Sequence, residues 1–147
     1  MPELEFLIGK ANDLCADQFE DARLCRAIGS TGGKPAMVAG DIHDWAFIFL
    51  VRNGHASIHY NGARFEPPQH HQGLPEGEQP MEGPLDKTLA DALAIIRHAE
   101  FSQPFTRIDL LKPLYPGVVE PFYMFALGVP PQTKIVGVGA NTGNIQS

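Results

Sequence analysis

The chain opens on an apolar stripe: Leu4, Leu7, Ile8, Ala11, Leu14, Cys15 and Phe19 recur at three- and four-residue spacing, the period that gathers side chains on one side of an α-helix. Pro2 and the acidic Glu3 and Glu5 suit a helical first turn, so a helix is predicted over residues 2–19. The period then changes. Ala22–Ile28 (ARLCRAI), Trp45–Val51 (WAFIFLV) and His55–Tyr60 (HASIHY) are short runs rich in aromatic and branched residues and read as strands. Asn53-Gly54 between the last two favours a type I′ turn and so a tight hairpin. Asn61-Gly62 repeats the turn signal before a short ARFE segment.

Residues 67–83, PPQHHQGLPEGEQPMEG, carry four prolines and three glycines with no apolar period, the composition of a surface linker. Beyond them Leu85, Leu89, Ala92, Leu93, Ile96 and Ala99 return to helical spacing, predicting a second helix over residues 84–100 with Pro84 in its first turn. Phe105–Leu111, Phe122–Leu127 and Thr133–Gly139 follow as strands, and ANTGNI closes the chain with a turn and a strand end.

Both halves thus have the order helix, strand, strand, strand, which suggests an internal duplication: a first repeat over about residues 2–66, the linker, and a second over about residues 84–147. With two helices available, the expected fold is two-layer α+β, both helices packed on one face of an antiparallel sheet in a single domain. A two-residue turn at Asn53-Gly54 would set Val51 against Ala56, Phe49 against Ile58 and Phe47 against Tyr60 on the core side. The opposite side would then show Ala46, Ile48 and Leu50 beside Arg52, His55, Ser57 and His59. An uncovered aliphatic centre with a polar border is the pattern of an interaction surface. The linker, a long loop or a second copy of the chain could cover it equally well.

Composition narrows the partners. A chain of 147 residues with 44% hydrophobic and 19% charged residues matches an ordinary globular protein. The net charge of −6, with only 11 scattered Lys and Arg residues, excludes the clustered cations that nucleic-acid binding requires. Cys15 and Cys25 form no CxxC pair and read as two buried thiols. The N-terminus has acidic residues where a signal peptide is basic, and the apolar run at residues 45–51 is too short to cross a bilayer. Cytoplasmic residence without a membrane span is the expectation.

Candidate chemistry is sparse. GSTGGKP (residues 29–35) follows a strand, but the spacing is one residue short of a phosphate loop, Pro35 stands where a hydroxyl would bind metal, and no helix follows. His55 and His59 share a strand face about 13 Å apart, too far for one ion. His70 and His71 read as solvated loop residues. Asp41, His43 and Asp44 in GDIHDW mark a loop edge where a small-molecule or enzymatic site could sit, or plain turn chemistry. No motif pairs a nucleophile with a base. The reading is therefore a non-catalytic protein with no cofactor and no metal.

The ending KIVGVGANTGNI (Lys134–Ile145), with Thr142, Gly143 and Ile145 closing a helix-and-strands repeat, resembles the PepSY-like and β-lactamase-inhibitor-like folds. Ala140-Asn141 stand where an acidic residue often precedes Thr-Gly in those repeats. The resemblance implies tandem α+β repeats that bind or inhibit other proteins, usually exported, and implies no catalytic residues. It suggests a bacterial inhibitor or immunity-type protein whose partner, or second copy, meets the outer sheet face at Ile48, Leu50, Arg52, His55, Ser57 and His59.

Overall fold

The computed structural model describes residues 3–75 and 78–147. Along the chain run α1 (Leu4–Ala16), β1 (Arg23–Ser30), a 3-10 turn (Ala39–Asp41), β2 (Asp44–Val51), β3 (Gly54–Tyr60), β4 (Gln69–His71) and β5 (Glu78–Gln79). Then come α2 (Leu89–His98), β6 (Phe105–Pro113), β7 (Phe122–Val129), β8 (Gln132–Gly139) and β9 (Ile145–Gln146). The fold is α+β, with both helices on one face of one antiparallel sheet ordered β4-β3-β2-β1-β6-β7-β8-β9, and β5 pairing the end of β6. The first strand of each half, β1 and β6, meet in the middle, with Arg26 opposite Leu111, Ile28 opposite Asp109 and Ser30 opposite Arg107. Outward from either central strand the order is the same.

One core lies between the layers. Leu7, Ala11 and Cys15 of α1 and Leu89, Ala92 and Ile96 of α2 pack on Phe47, Phe49, Ile58, Ile108, Leu110, Tyr123, Phe125 and Val136, all buried. Burial of each large side chain contributes roughly 1.5–3 kcal/mol. Tyr123 also donates its hydroxyl to the Lys87 carbonyl at 2.7 Å, which satisfies the one polar atom it brings inside. Gly29 lets β1 pass beneath Trp45, whose ring atoms would lie 2.7 Å from any Cβ there.

The helix boundaries shift for local reasons. The second helix starts at Leu89, not near Pro84, because Thr88 and Asp91 form a capping box: the Thr88 hydroxyl accepts the Asp91 N–H and the Asp91 carboxylate accepts the Thr88 N–H. At its other end Arg97 donates to the carbonyls of Phe101, Gln103 and Met37, tying the helix to the loop after β1. The first helix has no side-chain cap at Glu3.

The β2–β3 hairpin keeps the predicted faces but changes register. Val51 pairs with Gly54, Phe49 with Ala56 and Phe47 with Ile58, so the loop is Arg52-Asn53 and Gly54 belongs to the strand. Positive φ falls on Gly54, at 133°, and not on Asn53, which excludes the type I′ turn. Glycine is needed there because β4 crosses close by: a Cβ on Gly54 would collide with the His71 carbonyl.

The proline-rich linker is more ordered than its composition predicts. Gln69–His71 pair with β3, and Glu78–Gln79 pair with β6 where it runs past β1. The ARFE segment forms only a bridge between Phe65 and Tyr60. GSTGGKP behaves as expected, joining the first two strands without an intervening α-helix.

Candidate functional site

Strand alternation and register place a second set of side chains on the outer face. Reading across β3, β2, β1, β6, β7 and β8, one row is Ser57, Ile48, Arg26, Leu111, Phe122 and Gly139; the next is His59, Ala46, Ile28, Asp109, Met124 and Gly137. An apolar band therefore crosses the molecule opposite the helices. It is interrupted at the centre by charge and bordered on the β3 side by histidines.

At the centre sits Asp109, which is buried although it faces outward. Arg26 donates to its Oδ2 through Nε (3.0 Å) and Nη2 (2.7 Å). Arg107, two residues along the same strand, donates through Nε to Oδ1 (2.6 Å) and through Nη2 to Oδ2 (2.9 Å). The Arg26 Nη1 also lies 3.7 Å from the buried Glu78 carboxylate. Hydrogen bonding to Asp109 holds the Arg107 guanidinium above its ordinary range despite partial burial, so it is a permanent cation fixed in orientation. Beside this cluster a cavity of about 400 Å³ is lined by Leu111, Met124, Ala126, Ile135 and the exposed Tyr115 of the β6–β7 loop.

On the β3 side the polar groups satisfy one another. The His59 imidazole is held at Nδ1 by Glu66 (3.0 Å) and at Nε2 by Asp44. The Glu66 hydrogen bond, reinforced by Asp44, raises its pKa against a smaller desolvation effect. His55 stacks on His71 at 4.9 Å and donates Nδ1–H to the Gly73 carbonyl at 3.0 Å, while Ser57 Oγ and His71 Nε2 share a 2.8 Å hydrogen bond. His70 stacks on Phe19 and donates to the Asn53 carbonyl. The two linker histidines thus belong to a strand and not to a loop, and they fasten β4 while His70 stays exposed and His71 half-buried.

Of the six residues predicted to face a partner, Ile48, Leu50, His55, Ser57 and His59 do share the outer face, half-buried, with Leu50 opposite His55 and Ile48 opposite Ser57. Arg52 does not join them. It occupies the turn, and its guanidinium pairs with Glu20 and Asp21 from the loop after α1; the register change moved it out of the strand. Asp41, His43 and Asp44 are not gathered into one site: Asp41 and His43 are exposed on the 3-10 turn and its exit, and Asp44 turns to His59.

Among the described residues no three His, Cys, Asp or Glu side chains converge as a metal would require. Both cysteines are buried free thiols, Cys15 pushed up to about 11 and Cys25 raised, each by desolvation. The central cluster and the cavity were missed by sequence reasoning. The alternation Arg107, Asp109, Leu111 and Phe122, Met124, Ala126 carried the face assignment; the meeting of Arg26 with Asp109, 83 residues apart, did not.

The arrangement is a two-layer frame with one face given to the core and the other left as a mixed apolar and polar surface, the class of an α+β scaffold with an exposed sheet. A solved structure of a putative lipoprotein from Clostridium difficile 630 shares this fold: TM-score 0.69 at 11% identity, over 95% of this chain and 90% of that one. No protein-family model matches the chain, and no curated protein matches it in sequence. No helix among the described residues is long and apolar enough to cross a membrane.

Proposed function

We propose that the chain is a non-catalytic binding module that captures another protein on the outer face of its sheet, in the manner of an inhibitor or immunity-type protein. The supporting observation is the one-sidedness of the fold. Both helices pack on one face, and the opposite face carries Ile28, Ile48, Leu50, Leu111, Phe122, Met124 and Ile135 across five strands. A surface of this kind, apolar in the middle and polar at the rim, is what stable protein interfaces present.

The test is capture from native lysate by the tagged chain, compared with Ile48→Glu and Leu50→Glu. Both changes place a charge on the half-buried outer face without entering the core, and each should abolish retention of the partner. Phe6→Glu, on the exposed side of α1, should retain it. Unchanged capture by both outer-face variants defeats the proposal. A dilute-solution mass of twice the chain, collapsing to monomer in Ile48→Glu, would identify the occupant as a second copy.

A further inference from the structure

We propose that the cavity beside Asp109 is a socket for an acidic side chain or terminal carboxylate on an apolar segment of the partner protein, with Arg107 as its recognition group. The inference rests on the reading of the outer face as a protein-binding surface and specifies what that surface accepts. The cluster holds two guanidiniums and two carboxylates, so it is neutral by count, but it does not present neutrality to solvent. The side chains of Arg107 and Arg26 are 53% and 29% exposed, those of Asp109 and Glu78 only 9% and 4%. The carboxylates are sunk and the cations stand in front of them.

Arg107 is placed to act as a fork. Asp109 engages one donor on Nε and one on Nη2, which fixes the plane, while further N–H donors of the same five-donor group remain. Arg107 lines the cavity together with Arg26 and Asp109, and its apolar walls include Leu111, Met124, Ala126 and Ile135. A carboxylate would meet a pre-oriented cation at low entropic cost, and the apolar residue beside it would fill the cavity. The same geometry disfavours a basic side chain, which would confront two arginines before reaching any acid. Although the whole chain is acidic, charges beyond about 8 Å are largely screened at physiological salt, so the local cations decide.

The full chain is immobilised and used to select short random peptides displayed on phage. Enriched peptides should carry Asp, Glu or a free C-terminus next to a large apolar residue, and replacing the acid by its amide should weaken binding on the order of tenfold or more. Arg107→Gln should lose the same factor. Ile135→Glu, at the exposed lip of the cavity, should also weaken binding, by setting a like charge beside the incoming carboxylate, while leaving the fold intact, as a matched melting curve would verify. Peptides enriched for Lys or Arg, no enrichment, or selection unaffected by Arg107→Gln overturns the inference. So does saturable binding of decanoate without any peptide binding, which would assign the cavity to a small amphiphile. Lysate capture lost in Ile48→Glu but intact in Arg107→Gln would sink the socket alone and leave the docking face standing.

Discussion

The two halves of the sheet share a strand order and differ in what they do with polar groups on the outer face. In the first half, His55, Ser57, His59 and His71 are held by one another or by Asp44, Glu66 and Gly73, and β4 closes the border. In the second half, Arg107 stands half-exposed over a cavity, with donors beyond those that Asp109 takes. The same scaffold thus yields a finished rim on one side and an unfilled recess on the other. What separates them is the linker, whose β4 lies along β3, whereas β5 pairs with β6 only at Lys112 and Pro113.

The comparison can be broken most forcefully in the core. Phe47 and Phe125 are fully buried, one in each half, and Phe47→Ala or Phe125→Ala should each cost about 3–5 kcal/mol. Because both belong to one continuous cluster, urea unfolding of either variant should remain a single transition. Two separated transitions would mean that the halves fold independently.

The terminal turns offer the next contrast. The Asn61 turn is closed from within, its Oδ1 accepting the N–H groups of Ala63 and Arg64. The corresponding ANTG turn is closed from a distance: Glu120, just ahead of β7, accepts the N–H groups of Asn141 and Thr142 and the Thr142 hydroxyl, at 2.8–2.9 Å. Glu120→Ala should therefore lose about 1–3 kcal/mol, by removing three hydrogen bonds to a charged acceptor, and Asn61→Ala less. Burial pushes the Glu120 carboxyl up, but these three hydrogen bonds outweigh it and hold the pKa below the ordinary range. A depressed folded pKa adds stability above the unfolded value, about 4.3. That increment should disappear as the pH falls through the folded pKa, and acid titration of melting temperature should be flatter in Glu120→Ala.

Helix capping gives a smaller difference. Thr88→Ala should destabilise by about 1 kcal/mol, measured by denaturant midpoint, whereas Glu3→Ser should stabilise by supplying α1 with the cap it lacks. The smallest effect belongs to His59. Its raised pKa contributes stability below the unfolded histidine range, about 6.5, which is lost as the pH rises through the folded value. The pair is exposed, so the wild-type melting temperature should drift down only slightly across that window, and His59→Gln should remove the drift.

Much of the frame was legible because it is local. Three- and four-residue spacing marked both helices, and period-two alternation put Phe47, Phe49 and Val51 on the core side even though the register was displaced. The displacement kept the faces because the pairs slid by an even number of residues. What escaped depends on contacts distant in sequence. A three-residue strand in a proline-rich stretch has no pattern of its own; Gln69–His71 become a strand only because β3 offers an edge and Ser57 and His55 receive His71. Asp109 likewise acquires Arg26 only once β1 and β6 pair. Glu120, the carboxylate that closes the Thr142-Gly143 turn, also lies 22 residues away in sequence, just ahead of β7.

One feature of the last strand pair bears on the molecule's behaviour at high concentration. The final strand covers only Gly137 and Val138 of β8, so from Gln132 to Val136 the side of β8 away from β7 has no strand partner among the described residues. A run of unpaired backbone donors and acceptors is a template on which another chain can polymerise. Lys134, poised over the Phe101 ring, is the gatekeeper charge in that segment. Its replacement by Val or Ile should convert an orderly sheet edge into a seed for fibrillar stacking, visible as thioflavin-positive material long before the fold itself melts.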